Sequence, residues 1–238
     1  MLIVVSPAKK LDYATALPVE DYSMPTMLDK AQELIDILKD YSPQQVATLM
    51  GLSDKLAGLN VARYGEWTLP FTEENARQAI LAFKGDVYAG MDAYAFKKTD
   101  FNFAQKHLKI LSGLYGLLNP LDLIQPYRLE MGTKLASKAG KNLYDFWDSS
   151  ITEALNEALA QQKDKHAILV NLASAEYFKS VKKKQLAATV ITPVFKDEKA
   201  GTYKVVGIYA KRARGLMVNY IVKNRIKDVE GIKAFDIE

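Results

Sequence analysis

The chain contains no cysteine, which excludes disulfides, thiolate metal sites and cysteine nucleophiles. Its only histidines, His107 and His166, stand in no ligand spacing, so neither a metal signature nor a histidine-based triad is evident. A Gly-rich phosphate loop, internal repeats and low-complexity stretches are also missing. Long apolar runs are lacking too: the opening Met1-Leu2-Ile3-Val4-Val5 stops at Ser6-Pro7, too short for a signal peptide or a membrane span. These absences lead to the expectation of a soluble cytoplasmic protein without membrane contact, for which no metal site and no cofactor is foreseen. Carboxylates such as Asp86, Glu130 and Glu176 would have to assemble in space to hold a hard metal ion.

What is present suits one substantial core. The 238 residues, 26.6 kDa, are 49% hydrophobic and 25% charged, and a single domain over residues 1–238, monomeric, is the natural expectation. Met1 to Val5 reads as a buried strand, as do the short apolar runs Leu108 to Leu111 and Ala167 to Leu172. Thr26 to Asp40, with Met27, Leu34, Ile35 and Leu38 on one side, reads as a helix, and so do Thr72 to Phe83 and Asp148 to Gln162. Thr189 to Phe195 and Tyr203 to Tyr209 are rich in β-branched and aromatic residues. Asp197 to Gly201 between them reads as a hairpin turn, and Lys211 to Lys227 as a helix with Leu216, Met217, Tyr220 and Ile221 inward. Strands alternate with helices, yet a hairpin is included, so the expected class is α/β with a mixed sheet flanked by helices.

Met50-Gly51-Leu52-Ser53-Asp54-Lys55-Leu56-Ala57 has the form of a helix-hairpin-helix, spanning about residues 43–64. Ser42 and Pro43 open the first helix, Gly51 breaks it, and Ser53 is placed to cap a second that carries Leu56, Leu59 and Val61. Backbone N–H groups at such a hairpin face an anion, and Lys55 and Arg63 stand near enough in sequence to pair with it. Ser53 occupies the place of a second glycine, and Gly58 inside the second helix costs roughly 1 kcal/mol against alanine. An ordinary pair of core helices is the alternative.

Charge is unevenly distributed. The net value is only +4, but Phe178 to Glu238 holds 14 of the 32 basic residues and 6 of the 28 acidic ones. Lys179, Lys182, Lys183 and Lys184, then Lys211, Arg212 and Arg214, then Lys223, Arg225 and Lys227 make up most of this cationic quarter, an arrangement that attracts polyanions. With Lys9, Gly51, Ser53, Lys55 and Arg63, the residues Lys179, Lys182, Lys211, Arg212 and Arg214 form the candidate contact set for double-stranded DNA. No recognition helix or zinc finger is evident, so association independent of base sequence is expected.

Polar clusters stand where strands end: Ser6-Pro7-Ala8-Lys9, Ser112-Gly113-Leu114-Tyr115 and Asn171-Leu172-Ala173-Ser174-Ala175-Glu176. In open α/β sheets ligands collect at the carboxyl ends of strands. With Arg128 and Glu130, the residues Ser6, Ser112, Tyr115, Asn171, Ser174 and Glu176 form a candidate pocket for a small molecule or nucleotide. This set is richer in carboxylates than a phosphate grip requires, which keeps open the alternative of an enzyme acting on a nucleotide or modified nucleobase; no reaction can be named. An Arg-Glu pair is also commonly a structural ion pair.

Together with Ala82-Phe83-Lys84-Gly85-Asp86-Val87-Tyr88, Leu111 to Gly116, Pro120-Leu121-Asp122, Pro126-Tyr127-Arg128-Leu129-Glu130-Met131-Gly132 and Ala210-Lys211-Arg212-Ala213-Arg214-Gly215, these clusters occur in an order that resembles the YaaA family. The resemblance runs to about Arg225. It implies a bacterial cytoplasmic protein of the peroxide-stress response that lowers available intracellular iron. It further implies a DNA-binding protein of unusual α/β fold, with a helix-hairpin-helix beside a positively charged cleft. Family members continue with a Gly-Tyr-aromatic stretch and a polar tail where this chain has Ala234-Phe235-Asp236-Ile237-Glu238.

Overall fold

A computed structural model describes residues 1–162, 166–199 and 201–236. At its centre lies the Leu2–Val5 strand, buried along its whole length. It pairs in parallel with Leu108–Ser112 on one side and Ile168–Leu172 on the other, in registers that set Val5 opposite both Ile110 and Leu172. Thr189–Ile191 adds a fourth parallel strand outside Ile168–Leu172, and Gly116–Leu118 folds back antiparallel on Leu108–Ser112. The mixed sheet is flanked by helices, as the alternation of patterns implies. Apolar residues fill the central strand without alternation because both of its faces are covered. Its carboxyl end, at Ser6, falls where neighbouring strands lead away on opposite sides, the position at which a crevice opens in such sheets.

The Leu28–Lys39 helix buries Ala31, Leu34, Ile35 and Leu38, the expected face. Pro43–Met50 starts at a reciprocal cap, in which Ser42 Oγ accepts from the Gln45 N–H at 3.3 Å and Gln45 Oε1 accepts from the Ser42 N–H at 2.8 Å. Gly51 ends it in the left-handed conformation, φ 61°, and Asp54–Glu66 follows. Two readings of this segment are corrected. Ser53 occupies the N-cap position but its side chain makes no capping bond, and the buried face of the second helix is Ala57, Asn60 and Tyr64, with Leu56 and Leu59 exposed. Tyr64 is the reason: its hydroxyl donates to the Arg128 carbonyl and fixes which side of the helix faces inward.

Thr72 to Phe83 is not one helix. Arg77–Gln78 pairs antiparallel with Leu123–Ile124, leaving a single helical turn at Ala79–Ala82 before Phe83–Lys84 pairs with Lys10–Leu11. The stretch expected as two long strands is also divided. Thr189–Ile191 joins the main sheet, Asp197–Lys199 pairs with Thr202–Lys204, and Gly207–Tyr209 already belongs to the Gly207–Asn224 helix. Asp197 to Lys199 is therefore strand rather than turn, and Ala200 lies outside the described residues.

The Gly207–Asn224 helix crosses Asp86–Met91 with Gly215 and Gly90 at the contact, so that backbone meets backbone. Below the crossing, Asp100 ties the helix to Lys98–His107, pairing with Lys223 at 2.9 Å and Arg225 at 2.7 Å while accepting from the Lys97 N–H at 2.9 Å. Among the described residues no helix is long and apolar enough to cross a membrane.

Candidate functional site: a cationic cavity at the strand ends

A cavity of about 540 Å³ opens at the carboxyl ends of Leu2–Val5 and Ile168–Leu172. Ser6 to Lys10 form one wall as the chain leaves the central strand, and Ser174 and Glu176 follow from the neighbouring strand. Lys84 to Tyr88 stand across from Ala8, held there because Lys10–Leu11 pairs with Phe83–Lys84. Tyr127 to Glu130 supply a third side, and Lys211 and Arg214, one helical turn apart, complete it. Six cations (Lys9, Lys10, Lys84, Arg128, Lys211 and Arg214) thus meet three carboxylates, Asp86, Glu130 and Glu176. The field in the opening is positive.

Some of these charges are already paired. Glu130 Oε1 takes Arg128 Nε at 3.1 Å and Arg128 Nη2 at 2.9 Å, and Lys9 Nζ approaches the same oxygen at 3.2 Å. The other oxygen, Oε2, is buried without a hydrogen-bond partner. Lys84 is held by Asp12 at 3.1 Å, and Asp12, accepting from the Thr15 and Ala14 N–H groups as well, has its carboxyl held below the usual range. Arg214 differs: among the described residues no carboxylate pairs with it, and burial lowers the pKa of its half-buried guanidinium. Glu176 uses Oε1 to accept from the Gly132 N–H at 2.9 Å, a contact that the bare Cα of Gly132 permits.

Of the candidate pocket residues, Ser6, Arg128, Glu130, Ser174 and Glu176 come together here, and Arg128 and Glu130 both line the cavity. Ser112, Tyr115 and Asn171 do not, which corrects their assignment. The Leu108–Ser112 strand turns back at once into Gly116–Leu118, so Ser112 Oγ lies buried against the Tyr127 hydroxyl at 2.6 Å and accepts from the Tyr115 N–H at 3.0 Å. Tyr115 is fully buried, its hydroxyl accepting from Trp67 Nε1 at 3.0 Å, and burial pushes its phenol up. Asn171 Oδ1 accepts from the Ala173 N–H at 3.0 Å and shapes the turn that presents Ser174.

The proposed DNA contacts divide in the same way. Lys9, Lys211 and Arg214 line the cavity, whereas Gly51, Ser53 and Lys55 lie exposed on the helix pair outside it. Arg63 is turned toward Asn60 Oδ1, 3.5 Å away. Lys179 lies over the Tyr144 ring at 4.7 Å, Lys182 pairs with Asp148 at 3.3 Å, and the exposed Arg212 contributes its carbonyl to the glycine crossing. Lys10, Asp86, Tyr88, Tyr127 and Tyr177 are cavity residues that pattern reading missed. Gly85 carried the available signal: a Cβ there would stand 3.3 Å from that of Ala8, so its presence between Lys84 and Asp86 marks a close approach of two chain segments. Among the described residues, no three or more His, Asp or Glu side chains are grouped to hold a metal ion.

A UPF0246 protein of Colwellia psychrerythraea is 59% identical over 237 residues, covering all of this chain and 91% of the relative. A family model described as peroxide stress protein YaaA matches residues 1–238, and the chain belongs to that family.

Proposed function

We propose that this peroxide-stress protein acts by binding double-stranded DNA without regard to base sequence, gripping phosphates through the cations at the cavity mouth. Arg214 carries the reading. A half-buried guanidinium without a carboxylate is costly unless an anion completes it, and Lys211 and Lys10 line the same opening without an ion-pair partner among the described residues. The backbone N–H groups of Asp54 and Lys55, in the first turn of the second helix, provide a second place for a phosphate. DNA occupied in this way is shielded from iron-driven oxidants, and so damage that depends on iron falls. Titrating a labelled duplex and two of unrelated sequence at several salt concentrations tests the reading. Equal affinities are expected for all three, falling with salt at a log-log slope of about −0.9 per phosphate neutralised. Absence of binding at low salt, or an affinity indifferent to salt, rejects it.

A second reading, a separate chemistry on a small molecule, draws support from Glu130 and Glu176, because carboxylates in a cationic cavity add nothing to a phosphate grip.

A further inference from the structure

The five most exposed large apolar side chains among the described residues all fall in one stretch: Val194, Tyr203, Val205, Ile208 and Tyr209, each between 58% and 66% exposed. They lie outside the cavity, on or beside the ribbon of Asp197–Lys199 and Thr202–Lys204 and on the first turn of the Gly207–Asn224 helix. The ribbon sets Tyr203 opposite Glu198, so the two share a face, and among the described residues no third strand joins either edge. A lone two-stranded hairpin is only marginally stable in water, and a cluster of exposed apolar side chains marks a surface that meets something else.

Charge narrows what that partner is. Between Val194 and Arg214 the sequence carries six basic residues and two acidic ones, Asp197 and Glu198. Lys196, Lys204, Lys211 and Arg212 are exposed, and none of the four has an ion-pair partner among the described residues. On the helix, Ile208 shares a face with Lys211 and Arg212, three and four residues on, and Tyr209 shares one with Arg212. Lys211 also lines the cavity, about 4.5 Å along the helix from Ile208, so the apolar stretch runs up to the mouth. A single phosphate at Arg214 reaches none of the ribbon. A flat bilayer covers the ribbon but does not enter the mouth, and a second copy of the chain sets like charge against like. A long polyanion meets both.

We infer that the ribbon and the helix turn after it form an arm laid in the major groove of a DNA duplex, with Lys196 and Lys204 on the flanking phosphates and Tyr203, Val205 and Ile208 against sugars and base edges. The major groove, about 12 Å wide, admits a two-stranded ribbon, and the minor groove, about 6 Å wide, does not. Apart from the tyrosine hydroxyl these three side chains are apolar, so they add contact without a code of donors and acceptors, in keeping with indifference to base sequence. The inference rests on the DNA reading and extends it: cations at the mouth hold phosphates, and the arm supplies a part of the affinity that salt does not weaken.

Tyr203→Trp places an indole on the arm, and iodide distinguishes it from Trp67 and Trp147, which are buried. Adding a duplex at low salt is expected to shield this indole from iodide, and a duplex whose major groove is filled by glucosylated hydroxymethylcytosine is expected not to. The paired change Tyr203→Ala with Val205→Ala, at two exposed positions, is expected to weaken duplex binding about tenfold at every salt concentration, with the log-log slope and the melting temperature unchanged. Lys204→Ala is expected instead to reduce the slope by about 0.9. Duplex binding with the usual salt slope but an indole as open to iodide as before overturns the inference and leaves the DNA reading standing. Equal shielding by the glucosylated duplex overturns the groove assignment. If the paired change spares duplex affinity and instead abolishes binding to phosphatidylglycerol vesicles, or dissociates a dimer seen by sedimentation, the arm belongs to a lipid surface or to a second copy. No duplex binding by the unaltered chain at low salt defeats both the inference and the reading beneath it.

Discussion

Gly215 and Val87 meet so closely that a methyl group added at Gly215 would stand 1.9 Å from the Val87 carbonyl oxygen. Gly215→Ala is accordingly expected to force the two helices apart, at a cost of about 1–3 kcal/mol in urea unfolding. Lys211 and Arg214 ride on the displaced helix, so DNA affinity is expected to fall with it. Gly58→Ala supplies the opposite case. Nothing lies within 4 Å of a Cβ added there, and a stabilisation of about 0.5–1 kcal/mol is expected.

Asp100 makes part of the stability pH-dependent. Burial on its own would raise its carboxyl, but hydrogen bonds from Lys223, the Lys97 N–H and Arg225 outweigh that and bring it down to about 2. A folded value below the unfolded one of about 3.9 means stability that is fully present above pH 4 and lost as the pH falls through about 2. Asp100→Asn is expected to cost about 2 kcal/mol at pH 7. Denaturation curves of variant and wild type should converge between pH 4 and 2; a constant gap over that range contradicts the linkage.

Arg214→Ala removes one proposed phosphate contact, and the paired change with Lys211→Ala removes two. The log-log salt slope of duplex binding is expected to shrink by about 0.9 for the first and about 1.8 for the second. Slopes equal to that of wild type in folded variants would place the phosphates elsewhere on the surface.

Lys55→Ala asks whether the helix pair touches DNA. Lys55 is exposed and its removal leaves the fold intact, so a lowered affinity at low salt is expected, and Lys98→Ala, exposed on Asp21 at 3.0 Å, serves as the control. Gly51→Pro deletes the N–H that donates to the Ala47 carbonyl and cannot take the φ of 61° found there, so it is expected to disrupt the turn and calls for a thermal melt beside the binding curve. Unchanged affinity in both folded variants would make the turn purely structural.

Arg128→Ala and Glu130→Gln separate the two readings of the cavity. Loss of peroxide survival with DNA affinity retained is expected if the cavity has a chemistry of its own; joint loss favours one DNA-binding role. Survival assays of complemented cells and duplex titrations, run on the same variants, decide between them.

The strand ends at Ser6 and Ser174 were legible because uninterrupted apolar runs stop there, and the Arg128 and Glu130 pair was legible from its spacing. Ser112 misled for a definite reason: its strand has the same sequence signature, but the next residues reverse direction instead of entering a crossover, so the strand end is closed over by Tyr127. The opposite wall was invisible for another. Lys10–Leu11 and Phe83–Lys84 pair over two residues each, too few for any alternation to register, and only the pairing brings Lys10 and Lys84 to the rim. On the Asp54–Glu66 helix, leucine spacing pointed to the wrong face, because the hydroxyl of Tyr64 finds its acceptor on the Arg128 segment. Tertiary partners decided each case that local pattern did not.

The cavity draws on Ser6 at one extreme of the chain and Arg214 at the other, with contributions near residues 84, 128 and 174 in between. During synthesis on a ribosome the first wall emerges early and then waits for nearly the whole chain before the second exists. A fragment ending before Arg214 would carry the sheet and most of its core yet have no complete mouth. The set of cations lining the cavity is therefore completed last, with the helix that closes the site.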